Sequence, residues 1–194
     1  MEIKEALIVV DMQNDFCPGG ALPVTEGDQV VIPASALIAS AQNREDILPT
    51  ASFDWHPKDT NHFDEWPIHC VQFTRGAQNH PGLNLSLRNV RILLKGTKKD
   101  EPGYSAAKAF IDLLEELGIT TITKVRIAGL ALDYCIKATA IDLAKAGFET
   151  YVILDATKAV SLKTGNDALE EMENAGVKFI KTLDLLIEWN TKEL

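Results

Sequence analysis

The stretch Val125-Arg126-Ile127-Ala128-Gly129-Leu130 is apolar on both faces. A segment with apolar residues at helical spacing follows, from Asp133 through Ala138, Ile141, Leu143 and Ala144 to Gly147, and then Tyr151-Val152-Ile153-Leu154. This reads as strand, helix, strand, the unit of a parallel sheet. Working outward, Ala6–Val10, Leu48–Phe53, Val90–Leu94 and Val177–Ile180 are runs of the same kind, each bounded by turn residues. Strands apolar on both sides belong in a sheet covered on both sides. Ser105 is placed to cap a helix whose apolar residues Ala106, Ala109, Phe110, Leu113, Leu114 and Leu117 precede Gly118. Asp133 is placed to cap the helix ending at Gly147, and Asn166 and Thr182 to cap two more, the first closed by Gly176. The expected fold is α/β: an open, mostly parallel six-stranded sheet, Rossmann-like in three layers, with helices on both faces.

The chain has 194 residues, which suits one domain, since domains cluster near ~100–200 residues. No repeat, low-complexity tract or linker interrupts it, so a single domain over residues 1–194 is expected. Its 28 acidic residues against 19 basic give a net charge of −9. That balance argues against nucleic acid or an anionic membrane surface as partner. No apolar run approaches the ~20 residues of a membrane span, and Met1-Glu2-Ile3-Lys4 does not open a signal peptide. Three cysteines make no disulfide framework. A soluble, cytoplasmic protein with reduced thiols is expected, and the flat helical faces of such a fold suit a homo-oligomer.

In open α/β sheets ligands bind beyond the carboxyl ends of the strands. Asp11 follows the first expected strand, Asp54 the second, Lys95 the third and Asp155 the fifth, while Cys135 comes shortly after the fourth. Any one of these fits a solvated turn; together they point to a reactive centre. Cys135 stands near the start of the helix assigned to Asp133, where the helix end favours a thiolate and lowers the thiol pKa. The same N–H groups suit an oxyanion. The bland alternative is a small buried hydrophobe, and that reading is given to Cys17 and Cys70. A carboxylate such as Asp11 can take a thiol proton and pass it to an amine leaving group, with Lys95 between them. Alternatively Asp11 is a turn residue of a polar loop and Lys95 a solvated lysine before Gly96.

Asp54-Trp55-His56, His62 and His69 place three of the four histidines within a short loop region after a strand. Mixed carboxylate and imidazole donors suit Zn²⁺, Fe²⁺ or Mn²⁺; the alternative is a His-rich surface loop. His80, in Asn79-His80-Pro81-Gly82, reads as a turn residue.

At these residues the chain strongly resembles the nicotinamidases of the isochorismatase-like cysteine hydrolase family. The matching stretches are Val10-Asp11-Met12-Gln13-Asn14-Asp15-Phe16-Cys17-Pro18-Gly19-Gly20, Asp54-Trp55-His56-Pro57, Trp66-Pro67-Ile68-His69-Cys70-Val71, Lys95-Gly96, Tyr104-Ser105 and Gly129-Leu130-Ala131-Leu132-Asp133-Tyr134-Cys135. Their order and spacing hold over nearly the whole chain. The resemblance implies a triad of Asp11, Lys95 and Cys135. It further implies an oxyanion hole from the backbone N–H groups of Ala131 and Cys135, after a cis peptide between Leu130 and Ala131. It implies one divalent metal, Zn²⁺ first, on Asp54, His56 and His69, with His62 a further ligand in some members. Phe16, Trp66 and Tyr104 would line the substrate pocket. The implied reaction converts nicotinamide and water to nicotinate and ammonia, a step of NAD salvage, with pyrazinamide also accepted.

Phe73 stands where the family often has Gly and is expected to reshape the pocket wall; Leu132 stands where Thr is common. The segment Lys98-Lys99-Asp100-Glu101-Pro102 varies in the family and is expected to alter access. An isochorismatase needs no cysteine nucleophile, carbamoyl-amide hydrolases of this fold lack the metal loop, and an idle binding member would have no use for either set.

Overall fold

The computed structural model describes residues 2–85 and 89–191; both ends of the expected 1–194 domain lie outside that range. Six strands, β1 (Glu5–Val10), β2 (Ile47–Asp54), β3 (Arg91–Lys95), β4 (Lys124–Leu130), β5 (Glu149–Lys158) and β6 (Lys178–Ile180), form one sheet in the order β3-β2-β1-β4-β5-β6. Every pairing is parallel. Among the described residues the α-helices are α1 (Val31–Gln42), α2 (Ala107–Leu117), α3 (Lys137–Lys145), α4 (Leu162–Asn174) and α5 (Thr182–Thr191).

Side chains alternate across a strand, and β1 shows what that does here. Leu7 and Val9 join a core with Leu37 and Ile38 of α1 and Leu185 and Trp189 of α5. Ala6, Ile8 and Val10 join the opposite core with Phe110 of α2, Leu143 of α3 and Met172 of α4. Burial on both faces explains why β1 and β4 are continuous apolar runs. The edge strand β3 departs from that expectation and leaves Ile92 and Leu94 partly exposed. At the far end of the sheet Arg126 is buried, donating to Glu5 at 2.7 Å and to Glu188 at 2.8 and 2.9 Å. Its guanidinium lies 4.0 Å from the Tyr151 ring centroid, so α5 is fastened to β1, β4 and β5 by one side chain.

Several helix starts differ from expectation. Asn166 lies inside α4, whose cap is Ser161; its hydroxyl accepts from the Thr164 N–H at 3.1 Å. Asp133 does not cap a helix: Leu132–Ile136 is a π-helical turn entered from Ala131 without a side-chain cap. Asp155 is not past a strand end but within β5, where its carboxylate accepts from the Thr182 N–H at 2.7 Å and so starts α5. Ser105 precedes α2 and accepts from the Ala107 N–H at 3.2 Å. Helix α1 has no counterpart in the sequence reading. Apolar residues surround it nearly all round, Pro33 stands in its first turn, and no side chain caps it.

The register sets the site. Val10 pairs with Ser52 and Gly129, and Asp54 pairs with Lys95, so the carboxyl ends of β1 to β4 lie side by side. Gly129 is required there, because a Cβ on it would stand 2.0 Å from the Val10 carbonyl oxygen.

Candidate active site

Lys95, the last residue of β3, is buried, and its ammonium is the hub of the site. Nζ lies 2.7 Å from Asp11 Oδ2 and 2.6 Å from Asp54 Oδ1. It donates to the Gly103 carbonyl at 2.5 Å and lies 3.5 Å from Cys135 Sγ. Asp11, fully buried with φ of 49°, also accepts from the Ser52 hydroxyl at 2.8 Å. A carboxylate oxygen from each of Asp11 and Asp54 and the Cys135 sulfur all lie within 4.8 Å of one another. Gly96 follows Lys95 with φ of +64°, and a Cβ there would lie 2.5 Å from His56 Cε1.

Burial raises the pKa of both carboxyls, and their partners then separate them. Asp11 is pushed up to about 6, since burial and the charge of Asp54 outweigh Lys95. Asp54 falls to about 2, the Lys95 ammonium being the largest pull against its burial. One carboxyl is thus suited to carry a proton and the other to stay ionised. The Cys135 thiol stands well above its ordinary value: burial is the largest cause, and the opposing pull of Lys95 is met by repulsion from Asp11 and Asp54. This overturns the expectation of a lowered thiol pKa at a helix start. Burial therefore favours the protonated thiol, and a neighbouring group would have to take its proton for the sulfur to act as a nucleophile.

Asp54 faces two ways. While Oδ1 meets Lys95, Oδ2 lies 3.6 Å from His56 Nε2 and 3.8 Å from His69 Nε2. Nδ1 of His56 lies 3.2 Å from the Gly96 carbonyl and Nδ1 of His69 lies 2.6 Å from the Pro67 carbonyl. With Nδ1 donating to a carbonyl, each Nε2 is left with its lone pair. His56 Nε2 is buried without a hydrogen-bond partner, the state of a ligand atom. His62 stacks on His56 with centroids 4.6 Å apart, and one ring nitrogen from each of the three histidines lies within 4.8 Å of the others. Burial and the neighbouring imidazoles lower the His62 pKa to about 4, and burial also lowers that of His69. Both rings are neutral at pH 7, the ligating form. The four residues therefore fit a divalent cation with nitrogen and oxygen donors.

Phe16, Trp66 and Tyr104 line the cavity beside Cys135, together with His62, His69 and Asp54. Trp66 Nε1 donates to the Tyr104 hydroxyl at 2.7 Å. The peptide between Leu130 and Ala131 is cis. Sequence reasoning missed Leu22, Val24, Tyr134 and Val160 as lining residues; only Tyr134, next to Cys135, carried any signal. It also missed Gln13, fully buried, which accepts from the Asp54 N–H at 2.8 Å and donates to the Asp54 carbonyl at 2.8 Å. Phe73 is not among the cavity residues: it is exposed, has φ of 64° and packs edge-on against Trp55 at 5.4 Å. Within residues 98–102, Lys99 and Asp100 hold the His62 turn: the Lys99 carbonyl accepts from the Asn61 N–H at 2.9 Å and the Asp100 carboxylate from the Asn61 side-chain amide at 2.5 Å. Cys17 and Cys70 are buried thiols raised by burial, Cys17 to about 11. His80 accepts from the Gly82 N–H at 3.1 Å, a turn contact as expected.

The chain is similar to known proteins over most of its length. A nicotinamidase of Acinetobacter baylyi is 37% identical over 94% of this chain and 94% of its own. A nicotinamidase of Escherichia coli is 35% identical over 95% of this chain and 96% of its own. The crystal structure of a pyrazinamidase of Pyrococcus horikoshii in complex with zinc superposes with a TM-score of 0.84 and 40% identity, covering 92% of this chain and 99% of that one. Residues 5–184, which run from β1 into α5 and hold every residue of the candidate site, match the isochorismatase domain, and this chain belongs to that family.

Proposed function

We propose that this protein hydrolyses nicotinamide to nicotinate and ammonia through a thioester on Cys135, and that pyrazinamide is a second substrate. The observation that carries the reading is the Lys95 junction, which joins a thiol, a proton-carrying carboxyl and an ionised carboxylate in one buried cluster next to an aromatic-lined cavity. The Cys135 sulfur attacks the carboxamide carbon while its proton passes to Asp11. The negative charge formed on the carbonyl oxygen is met by the N–H groups of Ala131 and Cys135. Asp11 then gives the proton to the departing nitrogen, and ammonia leaves as the C–N bond breaks. Water adds to the thioester, yielding a proton to Asp11, and the C–S bond breaks to release nicotinate and restore the thiol. Lys95 keeps Asp11 and Asp54 together and lies against the sulfur throughout.

Asp54, His56, His69 and His62 would hold one divalent ion, Zn²⁺ or alternatively Fe²⁺ or Mn²⁺. When bound, the ion supplies a Lewis-acid site for the pyridine nitrogen. Phe16 and Trp66 would pack against the ring and aim its carboxamide at Cys135. Ammonia release from nicotinamide, measured with and without a chelator, tests the proposal. The expected result is release that the chelator abolishes and added metal restores, with none from Cys135→Ala. Undiminished release from folded Cys135→Ala would overturn the thioester route.

A further inference from the structure

Asp133 is a buried carboxylate that the reaction above leaves without a task. It stands two residues before Cys135, in the turn that carries the nucleophile, yet its side chain serves none of that turn's own backbone. Its oxygens accept from the Val160 N–H at 3.0 and 3.2 Å and from the Thr164 hydroxyl. Thr164 in turn lies 2.7 Å from the Ser161 hydroxyl that caps α4. One carboxylate therefore fastens the nucleophile turn to the segment between β5 and α4. Among the described residues no cation pairs with it, so its burial is sustained by these converging donors alone. The joint is close: a Cβ on Gly165, in the first turn of α4, would come within 2.8 Å of Ala159 Cβ. The segment it holds presents Val160 to the cavity, beside Cys135.

We infer that Asp133 is a positioning residue that sets the separation between the Cys135 sulfur and the Val160 side chain, and with it the room for an aromatic ring at the nucleophile. The inference rests on Cys135 being the nucleophile, and its effect on substrate acts through Val160, which a double-mutant cycle can expose. Asp133→Ala should raise KM for nicotinamide roughly tenfold with a smaller change in kcat, as should Val160→Ala, and the double variant should be no worse than either. Asp133→Asn should return KM to within about twofold of wild type. Its Oδ1 still accepts from Val160, and its amide donates to a Thr164 hydroxyl that can turn toward the Ser161 carbonyl, 3.3 Å away.

A second readout needs no nicotinamide turnover. Alkylation of Cys135 by iodoacetamide should change little in Asp133→Ala, while the rate relative to N-phenyl iodoacetamide, which must seat a ring, should shift roughly tenfold. Where Asp133→Ala does not fold, Thr164→Val removes one of the three bonds and should move both readouts in the same direction. A lower melting temperature with KM and the alkylation ratio both unchanged would reduce Asp133 to a stabilising residue and overturn the inference. Wild-type protein that releases no ammonia, together with a shifted alkylation ratio in Asp133→Ala, would overturn the proposed reaction and leave the positioning role standing.

Discussion

One ammonium, that of Lys95, compensates two buried carboxylates. Removing one partner from a buried ion cluster strands the others, at a cost of about 3–5 kcal/mol. Lys95→Met should therefore lose stability on that scale in denaturant unfolding, and its Cys135 should alkylate more slowly, since the positive neighbour that favours the thiolate is gone. An unchanged alkylation rate would remove Lys95 from the nucleophile's surroundings. Asp11→Asn keeps the shape and loses the proton carrier, so kcat for nicotinamide should fall roughly 10²–10⁴-fold; a loss under about tenfold would assign Asp11 to structure. That Asp11, Asp54, Lys95 and Cys135 gather at one end of the sheet was legible in the sequence, because each follows a run of strand residues. The direction of the Cys135 pKa was not. The neighbours that set it, Asp11, Asp54 and Lys95, lie far away in the chain, whereas the local sequence offered only a helix start.

All six strands were legible, because an apolar run flanked by turns has few other readings in an alternating chain. Their ends were less so: β5 continues through Asp155 to Lys158, since the edge of β4 offers hydrogen-bond partners beyond the apolar run. Helix α1 was hidden by its even apolarity. The π-helical turn was hidden by Asp133, which has the composition of a cap and spends its oxygens on Val160 and Thr164 instead. At the start of β5, Glu149 accepts from Lys178 of β6 at 2.7 Å and from the Tyr151 hydroxyl at 2.7 Å. These hydrogen bonds, that of Lys178 first, hold its pKa near 2, below the ordinary 4.5. A depressed folded-state value means the contribution is complete above the ordinary value and is lost as the pH falls toward 2. Glu149→Gln should therefore lower the melting temperature slightly at pH 7, the difference should vanish near pH 2, and high salt should shrink it, because the pair is exposed. A difference that persists at pH 2 would mean the contact acts through packing.

For the whole molecule, a cation bound by the folded state alone shifts unfolding by mass action, about 2.7 kcal/mol at a hundredfold excess over Kd. Added Zn²⁺ should raise the melting temperature of chelator-treated protein in a concentration-dependent way, and His69→Ala should flatten that response. An equal response from His69→Ala would place the ion elsewhere. The paired half of the sheet carries a consequence for biosynthesis. β1 is the first of these six strands to leave the ribosome, yet it is central, with β2 on one side and β4 on the other. A nascent chain that has reached α2 can already pair β1, β2 and β3 and bring Asp11, Asp54 and Lys95 together. The other edge of β1 stays open until β4 emerges, its amides and carbonyls unmatched and its apolar side chains half covered. For that interval the growing polypeptide is a sticky half-sheet with a charged cluster and no Cys135 beside it, and the arrival of β4 closes the open edge and delivers Cys135 in the same movement.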